Sequence, residues 1–163
     1  MGKHSRGVGN VPNILQQTAH IKNGTVGCGL MNLGNTCYLN SVLQALTHSP
    51  ALLKAMDETP HNSQCSWTNQ RDRPCVLCAL EKHCLRAVRR RKCSTEFCGA
   101  ITPDVIVRGL PQIASHFRLG AQEDAHEFLR QLIDCMQKCE SKLLSGQKSK
   151  SSYPFHLFAG ALQ

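Results

Sequence analysis

The stretch Gly29-Leu30-Met31-Asn32-Leu33-Gly34-Asn35-Thr36-Cys37-Tyr38-Leu39-Asn40-Ser41 sets the reading of the whole chain. It places one cysteine after two glycine-bearing turns, at a loop-to-helix junction. Beyond Cys37, Leu39, Val42, Leu43 and Leu46 fall on one helical face, which predicts a helix to His48. A thiol at the start of a helix meets the positive end of the dipole and unpaired N–H groups, and both favour the thiolate. Asn32, Gly34, Asn35 and Thr36 suit a turn better than a core, and glycine lets a ligand approach the backbone closely. Asn32 has a side-chain N–H to offer a developing oxyanion, as has the amide of Cys37. On these features alone, a nucleophilic Cys37 and a small buried hydrophobe stand level.

Outward from this stretch, residues 1–26 are polar and lack periodicity, and they read as a flexible lead-in. Ser49-Pro50 ends the first helix, and Pro50 opens a second through Leu52, Leu53 and Met56. Residues 57–74 hold the turn formers Asp57, Pro60, Asn62, Ser63, Asn69 and Pro74 and read as a loop. A helix over 75–92 puts Leu77, Leu80, Cys84 and Ala87 on one face. Its last turn, Arg89-Arg90-Arg91-Lys92, suits a solvated helix C-terminus. Thr102-Pro103-Asp104 reads as a helix start with Thr102 as its cap. Ile113, Ala114 and Phe117 form one further turn. A long helix over 122–144 lines Ala125, Phe128, Leu129, Leu132, Ile133, Met136 and Leu143 along one side, and its apolar face matches that of the first helix. Residues 145–152 are a polar loop, and the alternation at 155–159 opens a strand.

The bulk numbers fit one intracellular globular unit. The chain has 163 residues, with 41% hydrophobic and 18% charged, which is too apolar for a disordered chain. No apolar run near the N-terminus suits a secretory signal, and none is long enough to span a membrane. The ten cysteines are therefore read as mostly free thiols in a reducing compartment, cytoplasm and/or nucleus. The formal net charge of +8 would suit nucleic acid, but the cations gather at one helix end without interleaved aromatics, which argues against it.

A thiol nucleophile needs a base. His48 lies three turns along the same helix and cannot reach Cys37. His126 faces solvent or caps a helix. His83, His116 and His156 have no orienting partner legible in the sequence, and His61, the remaining candidate, is no more convincing as a base. Cys75-x-x-Cys78 has metal-ligand spacing, with Cys65, His83 and Cys84 nearby. A second paired knuckle is missing, and a helix from residue 76 would separate Cys78 and Cys84 from the loop of Cys75. No metal site and no cofactor are assigned. Cys93, Cys98, Cys135 and Cys139 read as structural.

Two blocks together resemble the ubiquitin-specific protease family of cysteine deubiquitinases. Residues 29–44, Gly29 to Gln44, look like that family's cysteine box at nearly every position. Gly120-Ala121-Gln122-Glu123-Asp124-Ala125-His126-Glu127-Phe128-Leu129 is similar to its glutamine-aspartate box. The resemblance covers residues 27–163. It implies the mainly helical "thumb" of a papain-like α+β cysteine peptidase domain, cut off as the sheet region begins. It implies that Cys37 attacks the carbonyl of the C-terminal glycine of ubiquitin. Asn32 and the backbone at Asn35 to Cys37 would form the oxyanion hole. Gln122 would support the cysteine-box loop, and Asp124 and Glu127 would face the arginines of the ubiquitin tail. The implied partners are ubiquitin and ubiquitinated proteins. In the family the catalytic histidine block and the finger-region zinc cysteines lie far downstream of these blocks, and the chain is read as ending before them. The expectation is therefore a chain that belongs to a hydrolase but is inactive by itself. The competing expectation is a non-catalytic thumb-like module that binds ubiquitin or another protein.

Overall fold

Helix α1, Cys37–Thr47, forms where the helical period of apolar residues begins, and Leu39, Val42, Leu43 and Leu46 are all buried. The computed structural model describes residues 28–58, 60, 61, 65, 74–90, 99–144 and 158. The chain leaves α1 at His48, whose amide points back to the carbonyls of Gln44 and Ala45. Helix α2, Pro50–Glu58, opens on its proline, whose fixed φ suits a first helical position. It buries Leu52, Leu53 and Met56.

Helix α3, Val76–Arg90, is the central element. Leu77, Leu80, Cys84 and Ala87 are buried as their spacing predicts, but so are Val76, Cys78, Ala79, Glu81, His83 and Val88. A single apolar face does not describe it, because α1, α4 and α6 pack around it from different sides. Helix α4, Asp104–Arg108, and helix α5, Leu110–Ile113, follow as short pieces. Thr102 does not cap α4: Pro103 occupies the cap position and no side chain caps it. The first bond of that turn runs from the amide of Val107 to the carbonyl of Pro103, which leaves Thr102 one residue too early.

Helix α6, Ala125–Leu144, starts three residues later than its sequence pattern suggests. Asp124 takes the capping position: its Oδ1 accepts from the amide of Glu127 at 2.7 Å and its carbonyl from the amide of Phe128 at 2.9 Å. The apolar stripe of α6 lies across α1, α3 and α5. Phe128, Leu132 and Met136 are fully buried there. Phe128 meets Tyr38 edge to face at 5.4 Å between ring centroids and Phe117 at 5.7 Å. This trio ties the first turn of α1 to the first turn of α6, and burying one such ring contributes about 1.5–3 kcal/mol.

The segment before α1 is held extended. Leu30 and Ile101 form an isolated parallel bridge, with amide–carbonyl bonds from Met31 to Ile101 and from Ile101 to Gly29 at 2.9 and 2.8 Å. Among the described residues there is no longer strand, and none of their helices is long and apolar enough to cross a membrane. The lead-in over 1–26, most of the 57–74 loop, Arg91 and Lys92, Cys93, Cys98, the 145–152 loop and His156 lie outside the described residues. So does the strand expected at 155–159, apart from Phe158, which packs partly buried against the core.

Candidate active site

Cys37 is exposed at the first position of α1. The turn that delivers it needs two unusual backbone conformations. Gly34 has φ 95° and Asn35 has φ 53°, both in the left-handed region that glycine and asparagine tolerate best. Asn32 organises the turn from inside. Its Oδ1 accepts from the amides of Gly34 and Thr36, each at 3.1 Å, and from the Thr36 hydroxyl at 3.2 Å. Thr36 Oγ1 in turn accepts from the amide of Leu33 at 3.0 Å, and Thr36 is buried.

With Oδ1 so engaged, the free end of the exposed Asn32 side chain is its Nδ2, which has no acceptor among the described residues. The first helical bond runs from the amide of Asn40 to the carbonyl of Thr36 at 2.9 Å, so the amide of Cys37 precedes the helical ladder. The amide of Thr36 is spent on Asn32. Among the backbone donors expected at Asn35 to Cys37, those of Asn35 and Cys37 remain.

Two α1 side chains anchor the approach to this loop. Asn40 Nδ2 donates to the carbonyl of Met31 at 3.2 Å, and Gln44 Nε2 to that of Cys28 at 2.9 Å. A third clamp joins the two sequence blocks: Asn35 Nδ2 donates to the carbonyl of Gly120 at 2.7 Å. Gly120 itself has φ 88°. Gln122, the residue expected to support the loop, is exposed and makes no hydrogen bond among the described residues. Sequence reasoning missed Asn35 as the clamp, although its side chain offers the same chemistry as that of Gln122.

Beneath Cys37, Tyr38 is buried between Phe117 and Phe128. Burial raises its pKa, as do the nearby Glu123 and Cys37, so the ring stays a neutral phenol. On α6, Asp124 is committed to its cap through Oδ1. Glu127 is gripped by Arg130, whose Nε and Nη2 donate at 2.8–3.1 Å, and by Gln131 Nε2 at 2.8 Å. Those bonds, that from Arg130 foremost, hold the Glu127 carboxyl below its usual range.

No described histidine bonds to the Cys37 thiol. His48 Nδ1 meets the carbonyl of Gln44 at 2.7 Å, His116 packs tilted against Phe117 at 4.3 Å between ring centroids, and His126 is exposed. His83 is buried inside α3, where desolvation and then Arg86 push its pKa down to about 4.

His61 stands elsewhere, in a cluster the sequence only partly revealed. The ligand atoms of His61, Cys65, Cys75 and Cys78 all lie within 4.8 Å of one another. His83 and Cys84, the other candidates by spacing, are not in this group. Helicity from residue 76 does not part Cys78 from Cys75: Cys75 precedes α3 and accepts the amide of Ala79, so residues three apart share one side of the first turn. Burial alone would lower the His61 pKa, but hydrogen bonds to Cys75 and Glu140 lift it to about 10, so the cluster favours positive charge. The spacing His61-x-x-x-Cys65 was the available signal.

The family model described as "Ubiquitin carboxyl-terminal hydrolase" matches residues 28–163. The chain belongs to this family. It is 40% identical over 138 residues to "Probable ubiquitin carboxyl-terminal hydrolase 16" of Schizosaccharomyces pombe, covering 83% of this chain and 29% of that relative. It is 39% identical over 145 residues to ubiquitin carboxyl-terminal hydrolase 23 of Arabidopsis thaliana, covering 85% of this chain and 15% of the relative. The chain thus spans less than a third of the length of either relative. A solved structure described as "Structure of the SAGA Ubp8/Sgf11/Sus1/Sgf73 DUB module bound to ubiquitin aldehyde" superposes with a TM-score of 0.57 at 24% identity, over 77% of this chain and 27% of that one. That likeness shows the fold: the described helices are the helical part of a papain-like fold. Within this ubiquitin carboxyl-terminal hydrolase chain, the cysteine box is the α1 junction, and the glutamine-aspartate box is the turn and cap that open α6.

Proposed function

We propose that this chain is the nucleophile-bearing helical part of a thiol-dependent deubiquitinase acting on ubiquitinated proteins. The observation that carries the reading is the exposed Cys37 at the head of α1, in a turn that Asn32 organises with its Oδ1 while its Nδ2 is left over. Cys37 Sγ attacks the carbonyl carbon at the C-terminal glycine of ubiquitin. The oxygen gains negative charge and is met by Asn32 Nδ2 and the amides of Asn35 and Cys37. The carbon–nitrogen bond breaks, a general acid protonates the leaving amine, and a thioester remains. Water then hydrolyses the thioester to a free carboxylate and regenerates the thiol.

The base and acid for these steps come from outside the described residues, since none of the described histidines bonds to Cys37. We expect the 163 residues alone to turn over ubiquitin conjugates negligibly. The Asp124 carboxylate faces the cationic ubiquitin tail, and Glu127 joins it by exchanging Arg130 for a tail arginine. The exposed thiol of Cys37 must stay reduced to act as a nucleophile, and the proposed site of action is the cytoplasm and/or nucleus.

Ubiquitin bearing an electrophile at its C-terminus tests the half-site. The expected result is a covalent adduct on Cys37, absent in Cys37→Ala, with no measurable turnover of a ubiquitin–fluorophore conjugate. Ubiquitin binding without any adduct would instead establish the non-catalytic module. Brisk turnover that depends on Cys37 would sink the inactivity.

A further inference from the structure

We propose that His61, Cys65, Cys75 and Cys78 form a structural zinc site that staples His61 and Cys65 to helices α3 and α6. The site stands apart from the chemistry of Cys37. Three sulfurs and one imidazole nitrogen converge within 4.8 Å of one another. His61 Nε2 and Cys75 Sγ are 3.3 Å apart. A tetrahedral zinc with bonds of about 2.0 Å to nitrogen and about 2.3 Å to sulfur needs roughly 3.5 Å between those two atoms, and roughly 3.8 Å between two sulfurs. One edge is already at that length, and the thiols need close in by no more than about 1 Å to reach the rest.

The surroundings are those of a ligand set. His61, Cys75 and Cys78 are 3%, 5% and 2% exposed. The second ring nitrogen of His61, Nδ1, lies 2.9 Å from Glu140 Oε2, and the Glu140 side chain is 12% exposed. A carboxylate behind an imidazole fixes the tautomer and turns Nε2 toward a metal. The main-chain amide of His61 donates to Glu81 Oε1 at 2.7 Å, and Glu81 is buried on α3. His61 is thus oriented from α3 and from α6 at once, with Nε2 at 3.3 Å from Cys75 Sγ.

Three thiolates with one imidazole select zinc over magnesium or calcium, which take oxygen. Four protein ligands leave no open position, so the ion holds structure and does no catalysis. Its ligands join Cys65 and His61 to the N-terminus of α3, with Glu140 adding the last turns of α6.

The test uses the chain expressed with zinc and purified without chelator, its metal read by elemental analysis and native mass spectrometry. The expected content is about one zinc per chain. Cys75→Ser with Cys78→Ser lowers it below about a tenth of that, while His61→Cys, which keeps four ligands, and Cys84→Ser, a buried thiol outside the cluster, both retain it. In case the double variant does not fold, the unmodified chain is titrated with a mercurial, and zinc released to a chromophoric chelator rises in step with thiols consumed. Background metal in the unmodified chain, a Cys75–Cys78 disulfide in its mass, or no zinc released on titration overturns the proposal.

Discussion

Asn35 donates from its side chain to the carbonyl of Gly120 across 2.7 Å, although the two residues are 85 apart in the chain. Both ends are conformationally special: Asn35 and Gly120 each hold a positive φ. The bond ties the turn that presents Cys37 to the turn that opens α6. Asn35→Gly should keep the turn but lose the tie. Asn35→Ala should lose the tie and also pay about 1–2 kcal/mol for its φ. Thermal melts should therefore rank wild type, Gly, Ala, and labelling of Cys37 by electrophilic ubiquitin should fall in the same order. Equal melting of all three proteins would refute the clamp.

The observed and the proposed role of Asn32 fall on two different atoms. Asn32→Asp keeps the oxygen that accepts from Gly34 and Thr36 and removes Nδ2. The variant should fold and melt close to wild type. Affinity for a ubiquitin aldehyde, whose hemithioacetal oxygen sits where the oxyanion forms, should drop by about 10²–10³. Unchanged affinity would remove Asn32 from the oxyanion hole.

Glu127 is engaged before any ligand arrives. If it serves the cationic tail of ubiquitin, Arg130 competes with that tail, and Arg130→Ala should speed labelling of Cys37 by a small factor, roughly two- to fivefold at low salt, with the gain fading as salt screens the pair. Glu127→Gln should slow labelling. The folded Glu127 carboxyl lies below its usual range. Its contribution to stability is therefore present above the ordinary carboxylate range and is lost as pH falls through the depressed folded value. Urea midpoints of Glu127→Gln and wild type should converge in acid.

His83 makes the opposite demand on pH from a paired histidine. It is buried, and its folded pKa falls to about 4 from 6.5. Below 6.5 the unfolded chain binds a proton that the folded chain refuses. Stability therefore falls as pH drops from about 6.5 to about 4 and levels off below. At about 1.4 kcal/mol per pKa unit the loss approaches about 3 kcal/mol. His83→Gln should flatten that slope in urea titrations across the range; an unchanged slope would mean that His83 titrates normally.

Much of this was legible in the residues. Helices α1, α2 and α6 follow from apolar spacing, because a helix packed on one side repeats that side in its sequence. Cys37 at the head of α1 follows from the turn formers before it. Helix α3 shows where the pattern fails: packed on several sides, it buries Glu81 and His83 along with its leucines, and no single stripe reports that. The start of α6 moved to Ala125 because one carboxylate, that of Asp124, caps it, and periodicity does not encode a cap.

The sequence by itself determined the candidate nucleophile, the two family blocks and the helices that carry them, since each is a local pattern of side chains. Only the tertiary structure decided what those residues touch. It gave the loop clamp to Asn35 rather than Gln122, set Glu127 against Arg130, and drew His61 from a candidate base into a cluster with Cys65, Cys75 and Cys78. The reason is physical: a hydrogen bond or a ligand set depends on distances of a few ångströms between residues far apart in the chain, and those distances exist only once the helices have packed.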